Sequence, residues 1–497
     1  MNSSNGPLLD VIADPAPQRR WKLTAAQRSI WTAQRMWPDV SFAIALYLDI
    51  GGAVNLDRLS AAAAAANARC GLMSVRLGVF HGEPYWVADA TLPRQVECLD
   101  LRDSDSPFDD AQAWMADEYR TPIDVAVTGL LKLTLLRISD NRSFFYVRCH
   151  HAVLDGFGAR NLIEEVLETY SRTSDIGVPE VVDYSGFDEL LRSEAAYDVS
   201  QRWERDAEYW NSVLSASPDV LGIKQAQRES PQHPQVSRLL VPRTAAANCD
   251  DAPGTRSTAA AAIAAVAVFL HHITGHDDIR LSIPVSVRTT ARLKSTAGMV
   301  SNLLPLSVAF NADDTVADLV RRTGESLSGA LRHQHFRDWA AVARGSAGRA
   351  IVADFGPTVN ILDFFAPVTV GSSKATTNVL TTGPIRDLAV NVYSRLAGDG
   401  LDVEFTWNPD RYDGARMEHY AAVLGRILSR FVFGDPAVVI GDVDLLDPTE
   451  RDALASSGHG EVRPLAGVSL VEVFDAVVAA TPDAVALICG HEQLTYR

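Results

Sequence analysis

Cysteine is scarce in this chain: five in 497 residues, at Cys70, Cys98, Cys149, Cys249 and Cys489, and none in a Cys-x-x-Cys pair. That spacing excludes a disulfide scaffold and a thiolate metal cluster, and it suits free thiols in a reducing compartment. Positive charge is also short, with 45 Lys and Arg against 62 Asp and Glu, a net charge of −17. Nucleic-acid binding through the bulk surface needs a basic footprint, and this chain lacks one. No long hydrophobic run is present. The longest, Ala259 to Leu270, is too short to span a bilayer and reads as a buried helix. The opening "MNSSNGPLLDVIADPAPQRR" has no apolar segment of the signal-peptide kind. The expectation is therefore a cytoplasmic protein with no membrane segment. No Gly-rich phosphate loop of either common spacing occurs, and "VDYSGF" (182–187) lacks the Gly-x-Ser-x-Gly elbow of serine hydrolases.

What is present is ordinary globular composition, 47% hydrophobic and 22% charged, in a length that suggests two to four folded units. Residues 1–20 read as a flexible lead. "LTAAQRSIWTAQRMWP" (23–38) has helical apolar spacing with Thr24 as its N-cap, and "FAIALYLDI" (42–50) reads as a strand. Leu56 to Ala68 is an alanine-rich helix, followed by paired strands near 74–88. "LLKLTLLRISD" and "SFFYVRCHH" form a hairpin about Asp140-Asn141, and "GFGARNLIEEVLETY" (156–170) is an amphipathic helix. Further on, 186–215 reads as one long helical region, 257–275 as a buried helix ended by Gly275, and 278–288 as a strand. The pattern is mixed α/β in two halves of similar size, 21–180 and 181–447, without a detectable repeat. Residues 448–467 read as a linker, and 468–497 as the cut start of another domain, since thirty residues cannot bury a core.

Between the hairpin and the helix stands "HHAVLDG", residues 150–156. Strand neighbours point to opposite faces, so one of His150 and His151 faces the interior and the other can face a cleft. The plain alternative is two histidines satisfied by core hydrogen bonds. Asp155 and Gly156, leading into a helix, make a turn that can hold an imidazole rigidly, and a neutral imidazole with Nδ1 engaged leaves Nε2 as a base. The Gly156 N–H and the positive helix end are candidate donors to a developing oxyanion. His271-His272 have no trailing Asp-Gly and read as helix-end residues; His333 and His335, on a helical stretch, lack metal-like partners.

In this context the motif resembles the HHxxxDG core of condensation domains of nonribosomal peptide synthetases, in the chloramphenicol acetyltransferase superfamily. The resemblance covers about residues 20–447. It implies an α/β (α+β) fold of two acetyltransferase-like lobes, a V-shaped pseudo-dimer with the site at the lobe junction and a tunnel from both faces. His151 then stands at the reaction centre and His150 is structural. Asp155 pairs with an Arg from the second half, for which "IPVSVRTTA" (283–291) offers Arg288. "GMVSNLLPL" (298–306) is similar to the motif GxFVNTLxL, which puts Ser301 and Asn302 beside the substrate channel; "FGPTVNIL" (355–362) adds Asn360. "LTAAQRSIW" resembles the motif S-x-A-Q-x-R-L-W, whereas the motif RHxxLRTxF survives only loosely in "ARCGLMSVRL" (68–77). "TTGPIRDLAV" (381–390) and "NPDRYD" (408–413) resemble first-module condensation domains of aryl-capped siderophore synthetases, and "LTYR" (494–497) resembles the opening of an adenylation domain.

The implied reaction is amide formation between an acyl thioester on an upstream carrier protein and the amine of an aminoacyl thioester on a downstream carrier. The implied partners are those two carriers and an adenylation domain in cis, around a monomer. The phosphopantetheine rides on the carriers, and the chain itself is expected to bind no cofactor and no metal. With a native N-terminus, no carrier precedes residue 20 and the donor arrives on a separate protein. Four alternatives stay in view. An epimerisation domain shares the motif but usually continues with Ser-Trp, where this chain has Gly156-Phe157-Gly158-Ala159. A heterocyclisation domain carries Asp in place of both histidines, which His150-His151 exclude. An O-acyltransferase of the superfamily can use HxxxDG, and a silent platform would only dock carriers or tailoring enzymes.

Overall fold

The computed structural model describes residues 19–172, 176–215, 231–243, 257–309, 311, 313–339, 355–362, 367–394, 400–443, 445–460 and 469–497. The chain divides into two compact units, one ending at Val443 and one beginning at Asp444.

The larger unit is built on two six-stranded sheets. The first runs, in spatial order, Val368–Val370, Ser373–Thr381, Ala43–Gly51, Arg142–His150, Leu131–Ser139 and Glu97–Asp100. It is antiparallel except at its Glu97–Asp100 edge. Both faces of the Arg142–His150 strand are covered, so its run is almost wholly buried. Alternation sorts its side chains: Phe145, Val147 and Cys149 enter one core with the helices Leu56–Cys70 and Gly156–Arg172, while Phe144 and Tyr146 enter a second with Ala111 and Met115 of Pro107–Arg120. The alanines of Leu56–Cys70 have a packing purpose: Ala62, Ala63 and Ala66 let that helix lie close to Leu162, Ile163 and Val166.

The second sheet runs Asn302–Ala309, Asp278–Val285, Thr358–Ile361, Leu388–Ser394, Gly400–Trp407 and Gln235–Pro242. The helix Thr258–Thr274 is buried continuously from Ala260 to Leu270, between this sheet and the helices Val316–Arg332 and Gly414–Phe433. That burial explains why it is apolar all round. It ends at Gly275, in the left-handed conformation with φ 75°.

Several sequence expectations hold locally. Thr24 caps Ala25–Met36 through a reciprocal box: Thr24 Oγ1 accepts from Gln27 N–H, and Gln27 Oε1 accepts from Thr24 N–H. Others need correcting. The 186–215 region is two helices, Ser185–Asp198 and Gln201–Ser215. Ser200 divides them, its hydroxyl donating to the Tyr197 carbonyl and accepting from the Trp203 N–H. The expected strand 278–288 stops at Val285. His333 is the C-cap of Val316–Arg332, so His333 and His335 lie past a helix and not within one. The halves are also not separate in sequence: Val368–Val370 and Ser373–Thr381, from the second half, complete the first sheet.

In the smaller unit, Pro448–Ser457, within the stretch read as linker, is a helix with an Asp447–Glu450 capping box. Leu470–Ala480 and the hairpin Val485–Cys489/Glu492–Thr495 follow. Among the described residues no helix is long and apolar enough to cross a membrane.

Candidate active site

The Arg142–His150 strand delivers the motif. The ladder runs on one residue past the strand, where His151 N–H donates to the Phe42 carbonyl at 2.8 Å. The chain then turns, with Val153 N–H on the His150 carbonyl. Ala152, Val153 and Leu154 are all buried in the core, so the three apolar residues of the motif anchor the loop. Asp155 caps the next helix. Its carbonyl accepts from Ala159 N–H, and its Oδ1 accepts from Gly158 N–H at 2.7 Å. Gly156 is the first helical residue, so its N–H belongs to the free donors of the helix start.

The two histidines have different surroundings. His150 is 2% exposed. Its Nδ1 accepts from Ala152 N–H at 3.2 Å, and its Nε2 faces Gln34 Oε1 at 3.2 Å, which assigns the proton to Nε2. Burial, then the neighbouring His151 and Arg148, lower its pKa to about 3, so it is neutral and fully engaged. His151 is half-buried. Burial lowers its pKa too, opposed by its own backbone carbonyl, Asp155 and the Leu154 carbonyl, so the ring is neutral at pH 7. Its Nδ1 is enclosed, and no contact there meets hydrogen-bond geometry. Gly383 lies at the Cδ2 edge of the ring: a Cβ on Gly383 would sit 3.5 Å from that atom, and its φ of 107° suits only glycine.

Asp155 and Arg288 meet as expected, at 2.8 Å, with side chains 3% and 2% exposed. The same Oδ2 accepts from the Val300 and Ser301 N–H groups, both at 2.8 Å. Arg288 also donates to the Gly298 carbonyl at 2.9 Å and lies over the Phe157 ring. Val287 explains how Arg288 gets there. It leaves the ladder in a left-handed conformation, φ 54°, which costs a β-branched residue about 1–3 kcal/mol. Its N–H is taken by Gln334 Oε1.

The structure thus gathers His150, His151, Asp155, Gly156, Arg288 and Ser301 around one loop. Asn302 and Asn360 have other engagements. The Asn302 amide donates to the Gln334 and Phe336 carbonyls at 2.9 and 2.7 Å. Asn360 faces Asn391 across neighbouring strands at 3.4 Å. Sequence reading missed Gln34, Gly298, Val300 and Gly383. Gly298 and Val300 lay inside the 298–306 motif without being singled out, Gly383-Pro384 carried the signal of a turn, and Gln34 carried none beyond its helix. The other histidine pairs have local roles. His271 and His272 engage the His276 and Val268 carbonyls, His333 engages Asp206, and His335 engages Thr289. Among the described residues no group of three or more His, Cys, Asp or Glu could hold a metal ion.

The family model for the condensation domain matches residues 17–455. Enterobactin synthase component F of Escherichia coli K12 is 27% identical over 96% of this chain and 37% of its own length. Isonitrile lipopeptide synthase of Streptomyces coeruleorubidus is 31% identical over 90% of this chain and 31% of its own length. A dimodular nonribosomal peptide synthase of Bacillus subtilis is 26% identical over 96% of this chain and 20% of its own length. The chain therefore spans well under half of these relatives. Among solved structures, the first condensation domain of the calcium-dependent antibiotic synthetase, in complex with a substrate analogue, superposes with a TM-score of 0.76 at 29% identity. That match covers 86% of this chain and 99% of the other. A starter condensation domain of rhizomide synthetase RzmA, in complex with C8-CoA, gives 0.76 at 27% identity over 86% and 98%. With this two-lobed mixed α/β fold and a family match over most of its length, the chain belongs to the condensation-domain family, the acyl-transferring, amide-forming domains of nonribosomal peptide synthetases.

Proposed function

We propose that this chain joins a donor acyl group, held as a thioester on an upstream carrier protein, to the amine of an aminoacyl thioester on a downstream carrier. The observation that carries the reading is the division of labour in the loop. Both Asp155 oxygens are occupied by hydrogen bonds, while His151 is neutral, half-open and edged by a glycine. Asp155 is then a pin, and His151 is the group that meets substrate.

The acceptor nitrogen attacks the donor carbonyl carbon, the carbon–sulfur bond breaks, and the donor thiol leaves on its phosphopantetheine arm. His151 Nε2 orients the amine and takes its proton, which then goes to the departing thiolate. The Gly156 N–H and the start of its helix face the charge developing on the carbonyl oxygen. Ser301 serves through its backbone by holding Asp155, Asn302 by fixing the 334–336 turn beside it, and Asn360 as a channel residue. The phosphopantetheine belongs to the carriers. In this reading the larger unit acts as a monomer between two carriers, and the helix and hairpin of 470–495 open an adenylation domain.

The donor is an acyl starter. The family resemblance at 381–390, the enterobactin-type relatives and the starter domain bound to C8-CoA support that class. The test is intact-mass detection of the amide on an acceptor carrier, with aryl-acyl, octanoyl and peptidyl donor carriers run in parallel. His151→Ala should abolish most turnover, by roughly 100-fold or more. Wild-type turnover in that variant would remove His151 from the reaction, and a peptidyl donor outrunning both starters would overturn the starter assignment.

A further inference from the structure

The Asp155 carboxylate rests on the N–H groups of Val300 and Ser301. The carbonyls of those same two residues are held by one side chain: Arg337 Nη1 donates to Ser301 O at 2.9 Å, and Nη2 donates to Val300 O. The Val300 carbonyl and the Ser301 N–H belong to a single peptide plane. That plane has a guanidinium at its oxygen end and a carboxylate at its N–H end. Charges so placed polarise the peptide in one direction and strengthen both bonds.

Arg337 reaches this place from the turn after Val316–Arg332. Among the described residues no carboxylate lies within ion-pair distance of it, and its hydrogen bonds go to the two carbonyls alone. It forms part of the wall of a cleft of about 510 Å³, with Glu194 and Tyr197 of Ser185–Asp198 also lining it. Burial pushes the guanidinium pKa down, with Glu194 and then Asp155 opposing the shift. A neutral amide could make the same two bonds to the Val300 and Ser301 carbonyls without holding a charge at this half-buried cleft wall. Stability alone is a poor reason for its presence.

We infer that Arg337 is a positioning residue for the His151 reaction: it fixes the Val300–Ser301 peptide, which through Asp155 fixes the loop that presents His151. The inference rests on the amide-forming reading above. Arg288 and Arg337 then act at different points. Arg288 grips the carboxylate directly, and Arg337 grips the backbone that the carboxylate leans on.

The test uses the full chain with both loaded carriers and compares wild type, Arg337→Met and Arg337→Lys. Arg337→Met should lower kcat roughly 10- to 100-fold, the scale of a displaced reacting group. KM for either carrier should stay within about twofold, because no binding contact is removed. Arg337→Lys, which keeps the cation and a donor, should recover part of the lost kcat. Amide hydrogen exchange at Val300 and Ser301 should quicken in Arg337→Met, with the distant Thr258–Thr274 helix unchanged. Should Arg337→Met fail to fold, Arg337→Lys and Arg337→Gln are read against each other in the same way. Unchanged kcat per folded molecule, with any loss confined to melting temperature, overturns the proposal. So does unchanged exchange at Val300 and Ser301. If the wild type forms no amide with any donor, the functional reading fails, and the exchange measurement still decides whether the clamp exists.

Discussion

Two adjacent histidines in this chain do different things, because the strand ends between them. His150 is still in the ladder, sealed in the interior with both nitrogens engaged, whereas His151 is already in the turn and half-open. That difference has a pH consequence. In the unfolded chain an imidazole titrates near 6.5, but folded His150 titrates at about 3 and folded His335 at about 4, each mainly because burial disfavours the charged ring. Between those values the unfolded chain binds protons that the folded chain refuses. Stability is therefore fully present above roughly pH 6.5 and is lost as pH falls toward 3. Urea midpoints measured at pH 7.5, 6 and 5 should decline in that order, and a flat series would contradict the buried neutral state of His150. At this scale the residues themselves left the roles of the pair open, and the family resemblance assigned them: His150 structural, His151 at the reaction centre. "HH" is equally a core pair and a reaction centre until Gln34, from a distant helix, is seen to occupy His150.

At the scale of elements, the site is one loop held by its neighbours. The hairpin, the Gly156–Arg172 helix and the Thr24 cap were legible because their signals are local: period-two alternation, 3.6-residue spacing and a capping box. The turn that brings Arg288 to Asp155 was not legible. Nothing in "IPVSVRTTA" announces a left-handed valine, which is held by a tertiary bond from its N–H to Gln334 and by the Thr289 N–H on its carbonyl. The break at Ser200 was likewise invisible to apolar periodicity, because a serine hydroxyl makes it. Asp155→Ala would remove an N-cap and leave Arg288 buried without its partner. The expected loss is about 3–5 kcal/mol in denaturant unfolding, together with most of the activity. A soluble variant with an unshifted midpoint would show that the pair does not hold the loop.

For the whole molecule, the arrangement that matters is the exchange of strands between the halves of the sequence. Ser373–Thr381 pairs along Ala43–Gly51, and Val370 and Ala375 enter the first core. Without them Ala43–Gly51 becomes a bare, apolar edge next to the histidine strand. Expressed as separate chains, 19–180 and 181–497 should give a 19–180 piece that aggregates or melts without cooperativity, as read by circular dichroism and size-exclusion chromatography. A monomeric 19–180 fragment with a sharp transition would refute this dependence. The same crossover carries Gly383 to the ring of His151, so the second half supplies one side of that histidine's surroundings as well as the strand that completes its sheet. The amino-acid sequence by itself determined the mixed α/β class and the hairpin–loop–helix around residue 151, because those depend on periodicity and caps within short windows; the Asp155–Arg288 pairing was implied by the family resemblance and is seen in the structure. Only the tertiary structure decided that Ser373–Thr381 belongs to the first sheet, that Val287 turns left-handed, and that Gln34, Gly383 and Arg337 converge on the loop. Those outcomes join residues up to several hundred positions apart, and burial and hydrogen-bond satisfaction across the assembled cores select them where local propensity does not.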